Sequence, residues 1–277
     1  TMIKQAIIPL AGLGTRLLPL TTVIPKELLP INGRPGLEYI LDECIEAGIK
    51  EIIFIISNKK KLIRKYFYND KFFKTIIKNK KDNRIKKEYK KILSFKNKIK
   101  FVYQNKPLGT GDAVLKVRKL IKSSHFLMLF PDDLILKKNC SRDMISIHKR
   151  NNCSVMASIK VKKQDISRWG IYSIKKQINK KNFIIKDVIE KPSISDAPSN
   201  NAVIGRYILP KEIFLKLKKQ KKGIGGEIHI TDAIRDLINN NHKFIGHNFA
   251  GKYLDCGTMS GYIKSSLEIS KLWNYVW

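Results

Sequence analysis

The sequence is short of acidic residues, with 23 Asp and Glu against 55 Lys and Arg, so the formal net charge at pH 7 is +32. Histidine is scarce, and the four cysteines, Cys44, Cys140, Cys153 and Cys256, stand far apart. No CxxC pair and no histidine at zinc-ligand spacing accompanies them, which argues against a structural zinc site and leaves reduced thiols as the expectation. Cys256 has Asp255 beside it but no partner base in the sequence, and reads as a packing residue rather than a nucleophile. Long apolar runs are missing too, because Pro9 and Gly12 interrupt the first candidate. Neither a signal peptide nor a membrane span is expected, and a cytoplasmic protein follows. The excess of positive charge is lysine rather than arginine and sits in runs such as 59–61, 78–81 and 218–222. That pattern fits solvated surface and disfavours a dedicated nucleic-acid partner, for which charge supplies non-specific attraction alone.

The two commonest phosphate-binding motifs are also missing. Near the N-terminus, Leu10 to Pro30 reads LAGLGTRLLPLTTVIPKELLP. A dinucleotide fingerprint needs a small residue where Leu17 stands, and a P-loop needs Gly-Lys-Ser/Thr. What is present is an apolar run ending in Gly12 and Gly14, followed by Arg16 and Lys26 and framed by Pro19, Pro25 and Pro30. Glycine lets the backbone approach an anion, Arg and Lys supply charge, and proline stiffens the frame. The stretch has the outline of a polyphosphate site.

Apolar, β-branched runs recur at 6–10, 52–56, 99–103 and 126–130 with helical patterns between them. Strands buried on both faces read as such continuous runs, so the expected fold class is α/β. Leu37, Ile40, Leu41, Cys44 and Ile45 fall at helical spacing, and Gly48 stands where that helix should stop. Segment 59–98 is rich in lysine, yet Leu62, Ile63, Tyr66 and Phe67, then Phe72, Phe73, Ile76 and Ile77, keep a helical repeat, predicting amphipathic helices. Shorter strands are expected at 154–161, 170–174, 183–190 and 202–209, then helices at 211–218 and 231–239 with Thr231 as N-cap. No repeat or linker interrupts the chain, so residues 1–277 are expected to form one domain.

In open α/β sheets ligands bind beyond the carboxyl ends of the strands. Pro131-Asp132-Asp133, Glu190-Lys191-Pro192 and Asp255 fall at such ends. An Asp pair there can also merely cap a helix, and Glu190 with Lys191 can be a surface ion pair. Beside a cationic glycine loop, however, the carboxylates suit Mg²⁺ on a polyphosphate.

The loop AGLGTRLLP with PKELLP, then Gln104 with PLGTGDAV, then LFPDD, WGIY, EKP, GEIHITDAI and LDCGT follow one another in the order found in sugar-nucleotide pyrophosphorylases. From Ile3 to about Leu267 the chain resembles this sugar nucleotidyltransferase family, and PKELLP with the long basic segment before Gln104 is similar to its bacterial UTP:glucose-1-phosphate uridylyltransferase branch. The resemblance implies a fold of the nucleotide-diphospho-sugar transferase type, a Rossmann-like mixed, mainly parallel sheet flanked by helices. It implies that UTP and glucose 1-phosphate give UDP-glucose and pyrophosphate by in-line attack on the α-phosphorus, with Mg²⁺ as cofactor and a homo-oligomer as the assembly. Arg16, Lys26 and Lys191 are then expected to be catalytic. Leu10, Ala11, Gly12, Gly14, Gln104 and Gly109 are expected to bind the nucleotide, the Gln104 amide answering both the donor and the acceptor of the uracil edge. Gly170, Glu190 and Lys191 are expected on the sugar-phosphate side, and Asp132 and Asp255 as metal ligands. Two positions depart from the family's pattern: Thr22 stands where many relatives carry lysine, and Asp112 where histidine is common, which implies one cation fewer and one carboxylate more near the triphosphate.

Overall fold

Gln5–Pro9 forms strand β1, buried on both faces, with Ala6 and Ile8 packed to one side and Ile7 to the other. The computed structural model describes residues 2–68, 71–223 and 226–272; side chains at 71–73 lie outside the described residues, and with them the expectation for Phe72 and Phe73. After β1 come the short pair β2 (Pro30–Ile31) and β3 (Arg34–Pro35), helix α1 (Gly36–Glu46) and strand β4 (Glu51–Ile56). Helices α2 (Lys61–Phe67), α3 (Lys71–Asn79) and α4 (Asn83–Lys96) lead to β5 (Ile99–Tyr103). Next are α5 (Thr110–Lys116), β6 (His125–Leu129), β7 (Asp133–Leu136), α6 (Cys140–Asn151) and β8 (Ser154–Lys160). Strands β9 (Gly170–Gln177), β10 (Asn182–Glu190) and β11 (Asn201–Pro210) follow. The chain continues through α7 (Ile213–Lys219), α8 (Ile230–Asn239), β12 (Phe244–Asn248), β13 (Lys252–Asp255) and α9 (Met259–Leu272).

Nine strands make one sheet in the order β5-β4-β1-β6-β11-β8-β12-β10-β9. The pairs from β5 through β6 are parallel, as is β8 with β12; β11 runs antiparallel to both neighbours, and β10 does likewise. The sheet is therefore mixed, as expected, but its parallel character is confined chiefly to the first half. The reason is connectivity: β9 and β10 join through a tight turn, which only antiparallel strands allow, whereas β1, β4 and β5 are separated by helices long enough to cross over.

Each face of the sheet carries its own apolar layer. Residues of α1, α2, α4 and α6 cover one side, and residues of α5, α7 and α8 cover the other. Helix α1 ends as its sequence predicts, with Gly48 at φ +88° and Ile49 N–H bonded back to Cys44 O at 3.0 Å, a left-handed turn that glycine adopts without strain. The basic segment is helical, with Ile63, Phe67 and Phe95 reaching the core, though Leu62 and Ile76 stay exposed. Thr231 is not the cap of α8. His229 holds that position without a side-chain bond, and the Ile230 N–H is instead satisfied by Thr110 Oγ1 of α5 at 3.3 Å. Among the described residues no helix is long and apolar enough to cross a membrane.

Candidate active site

Strands β1, β4, β5 and β6 run in one direction, so the loops after them emerge along one edge. There they line a cleft of about 760 Å³. The β1 loop contributes Ala11, Gly12, Arg16 and Lys26; the β5 loop contributes Gln104 and Gly109; the β6 loop contributes Asp132; and Asp255 arrives at the end of β13. Eight of the residues singled out from the sequence thus share one cavity wall. Leu10 and Gly14 lie behind it. The Leu10 N–H is spent on Ile55 O at 2.7 Å, so it is not free for a base. Gly14, at φ +70°, lets the chain turn against Thr21 and Lys26, where a Cβ would come within 3.0 Å of the Thr21 methyl.

One part of the wall is a cluster of opposite charges. Lys26 Nζ pairs with Asp132 Oδ2. The pairing of β7 with β13 sets Asp133 opposite Asp255, and Cys256 N–H bonds Asp132 O at 2.8 Å, so acids remote in sequence meet. At Gly257 a Cβ would stand 3.1 Å from Asp255 Oδ1, 3.3 Å from Asp132 Oδ2 and 3.5 Å from Arg16 Nη1. Two carboxylates and a guanidinium therefore lie close around Gly257, whose N–H donates to Asp255 Oδ1 at 2.8 Å. Hard carboxylate oxygens in such a cradle suit a divalent cation that also carries phosphate oxygens. No carboxylate among the described residues forms an ion pair with Arg16, whose side chain is exposed at the cleft.

Behind this cluster lie buried charges. Lys60 Nζ reaches both carboxylate oxygens of Glu27, at 2.6 and 2.9 Å, beneath Lys26. Burial raises the pKa of Glu27 and lowers that of Lys60, each opposed by the attraction of its partner. Arg206, fully buried, bonds Glu43 through Nε and Nη2 and gives further N–H groups to the carbonyls of Phe130 at 3.2 Å and Asp133 at 2.6 Å. It thereby clamps both ends of the loop carrying Asp132. Asp133 accepts from Gly205 N–H at 2.6 Å and from the Tyr253 hydroxyl at 2.7 Å, and burial raises its pKa. These bonds pin the neighbouring strands, and Asp133, like Asp132, also lines the cleft. Burial pushes the Cys256 thiol up to about 12, which agrees with a packing residue and leaves no thiolate near neutral pH.

Sequence reasoning did not assign Glu27, Glu43, Lys60 or Arg206 a task. The signal was there: Arg206 sits inside the apolar run AVIGRYIL and Glu43 on the apolar side of α1, and a charge in such a place requires a partner of opposite sign. Trp169, Arg168 and Glu227 also line the cleft without having been singled out.

The base end corrects one expectation. Gln104 is buried, and its Nε2 donates to Gly109 O at 3.0 Å and Asp112 Oδ2 at 2.8 Å. Both amide hydrogens are occupied, so the side chain offers an acceptor rather than both polarities. Asp112 consequently belongs with Gln104, not with the triphosphate, while the Thr22 hydroxyl bonds Pro19 O at 2.7 Å on the surface.

Gly170, Glu190 and Lys191 come together next to the cleft rather than in its wall. Gly170 pairs with Glu190 across β9 and β10, and a Cβ on Gly170 would lie 3.1 Å from Glu190 Oε2. Lys191, at φ +45°, bonds through its N–H to Trp169 O at 3.0 Å, which ties this corner to a residue of the wall. Glu190 and Lys191 are both exposed and do not form an ion pair with each other.

With this geometry in view, comparison with known proteins is decisive. A profile of the family described as Nucleotidyl transferase matches residues 5–271. The chain belongs to the nucleotidyl transferase family. Within the family it is 34% identical over 267 residues to the UTP–glucose-1-phosphate uridylyltransferase of Mycoplasma pneumoniae, covering 96% of this chain and 91% of that one. A crystal structure of UDP-glucose pyrophosphorylase complexed with UDP-glucose superposes with a TM-score of 0.86 at 34% identity, covering 98% of this chain and 100% of that chain. A UTP-bound UGPase of Acinetobacter baumannii gives a TM-score of 0.90 at 32% identity, covering 99% and 95%. The family match also supports the α/β nucleotide-sugar transferase fold.

Proposed function

We infer that this cleft transfers the uridylyl group of UTP to glucose 1-phosphate, giving UDP-glucose and pyrophosphate, as the names and bound ligands of the relatives suggest for a chain so similar over its full length. The observation that carries the reading is the convergence of Arg16, Lys26, Asp132 and Asp255 about Gly257, in a cleft that Gln104 also lines.

In this reading a phosphate oxygen of glucose 1-phosphate attacks the α-phosphorus of UTP in line. The bond from that phosphorus to the bridging oxygen breaks as the new one forms, and pyrophosphate leaves with the electron pair. Nothing here needs a covalent enzyme intermediate, so the protein's work is positioning and charge stabilisation. Lys26 leans on the reacting phosphate, held in aim by Asp132 and by the buried Glu27–Lys60 pair beneath it. Arg16 faces the departing pyrophosphate. The exposed Gly12 lets the triphosphate pass close to the backbone, and Ala11, Gly12 and Gly109 with Gln104 receive the base. Asp132 and Asp255 would hold Mg²⁺, which supplies charge neutralisation on the phosphate oxygens when bound. On the sugar side Glu190 accepts from glucose hydroxyls and Lys191 pairs with the sugar phosphate, their approach to the cleft being along Trp169. The nine-stranded sheet that takes strands from both ends of the chain supports treating residues 1–277 as one nucleotidyltransferase domain. Met259, Ile263 and Leu267 form an exposed apolar stripe on α9, which supports a homo-oligomer.

The test is pyrophosphate release from UTP, dTTP, CTP, ATP and GTP with glucose 1-phosphate and Mg²⁺. UTP is expected to turn over fastest; faster release from dTTP would assign thymidylyl transfer instead, and no release from any of them would remove the catalytic reading.

A further inference from the structure

Base binding by Gln104 does not by itself require a buried carboxylate, yet one is there. Asp112 is 7% exposed and Gln104 6%. Asp112 stands in the first turn of α5, and its Oδ2 accepts from Gln104 Nε2 at 2.8 Å, while Gly109 O accepts from the same nitrogen at 3.0 Å. Both partners can only accept, so their identity fixes which end of the amide is nitrogen: turned over, the amide would set oxygen against oxygen twice. Gln104 Oε1 has no donor among the described residues and is not enclosed, so it is open to the cleft. We propose that Asp112 is a positioning residue which locks the Gln104 amide so that this side chain offers the base an acceptor and never a donor, selecting a pyrimidine that carries hydrogen on N3.

The inference rests on the reading above that Gln104 meets the base. Uracil has N3–H between two carbonyl groups, and N3–H can donate to Gln104 Oε1. Cytosine has a lone pair on N3, which would face Oε1 and be repelled. An amide free to turn would answer cytosine with N–H and lose the distinction. Gly109 O alone is a weak lock, since it also takes the Ala113 N–H at 3.2 Å. The carboxylate makes the turned amide costly, because a charge-assisted hydrogen bond is lost and repulsion replaces it. Lys116 Nζ lies 3.6 Å from Asp112 Oδ1, so the second oxygen is balanced from solvent and Oδ2 remains committed to Gln104. Thymine also carries N3–H, and the lock is indifferent between it and uracil.

The experiment compares kcat/KM for UTP with that for CTP, at saturating glucose 1-phosphate and Mg²⁺, in wild type, Asp112→Ala, Asp112→Asn and Gln104→Ala. A ratio of two constants from one preparation is independent of the fraction that folds. Asp112→Ala should lower the UTP preference roughly tenfold, with the change in KM rather than in kcat for UTP, because a misoriented amide leaves one hydrogen bond unmade. Asp112→Asn, whose amide can donate as well as accept and carries no charge, should lose the preference as Ala does. If Gln104→Ala loses the preference while Asp112→Ala keeps it, the lock is refuted and the base assignment stands. If Asp112→Asn keeps the wild-type ratio, an acceptor-only, charged partner is not what fixes the amide, and the lock is likewise refuted. A Gln104→Ala variant with the wild-type ratio would overturn the base assignment and the lock with it.

Discussion

The two sides of the cleft are built differently. On the side proposed for the nucleotide, four parallel strands end in loops whose polar groups are held by buried charge: Glu27 with Lys60, and Arg206 with Glu43 and the carbonyls of Phe130 and Asp133. On the side proposed for the sugar, Glu190 and Lys191 stand exposed beside the cleft where β10 ends, placed by hairpin register and one backbone bond to Trp169. Charge stabilisation demands groups fixed before the reaction, and the rigid side is where the proposed chemistry sits. A sugar must enter and leave, and an exposed edge permits that.

Breaking the buried frame should have the largest effect. Glu27→Ala leaves the Lys60 charge buried without its partner, which costs about 3–5 kcal/mol of stability. Urea unfolding checks this, and Lys60→Met added to Glu27→Ala should recover part of the loss; an unchanged unfolding midpoint in the single variant would show that the frame is not held by this pair. Next in size, Lys26→Ala should slow turnover roughly 10²- to 10³-fold, since a preorganised charge on a reacting phosphate is worth about 3–4 kcal/mol. Its unfolding midpoint should stay near wild type, so the two neighbouring substitutions separate frame from chemistry.

On the open side effects should be smaller and confined to one substrate. Glu190→Ala should raise KM for glucose 1-phosphate about tenfold, a hydrogen bond at a charged group being worth about 1.5–3 kcal/mol, and leave KM for UTP and stability alone. A matching rise in KM for UTP would erase the division between the sides. The smallest effect lies at the other end of β6, away from the cleft. Burial first, and the neighbouring His148 second, lower the pKa of His125 from 6.5 to about 4. A base held neutral by the fold binds its proton more readily once unfolded, so its contribution to stability is present above pH 6.5 and is lost as pH falls toward 4. His125→Gln should therefore lose less stability than wild type across that window, measured as urea midpoint against pH, with no change in turnover at pH 7.5.

The same division explains what could be read from sequence. The parallel strands are continuous apolar runs, and the β1 loop carries its glycines, prolines, Arg16 and Lys26 within one stretch, so both were legible. The antiparallel half was less so: the register of β9 on β10 includes shifts at Ile184 and Asp187 that no periodicity announces. Contacts remote along the chain were hidden altogether. Arg206 and Glu43 are 163 residues apart, and the Asp133–Asp255 pairing that brings the acids together comes from a two-stranded ribbon with no turn signal between its strands. Gln104 was visible, but its orientation was not, because which way an amide faces depends on what packs beside it.

Transfer is proposed to take place where Lys26 and Asp132 meet, with Asp132 as the principal carboxylate for Mg²⁺. Pyrophosphate release at saturating UTP and glucose 1-phosphate, followed as Mg²⁺ is raised, tests it in wild type and Asp132→Asn. Asparagine keeps the shape and one oxygen but removes the charge that attracts the ion. Activity of the variant should collapse at ordinary Mg²⁺ and recover partly at higher concentration; superimposable curves for the two proteins would remove Asp132 as the carboxylate for Mg²⁺.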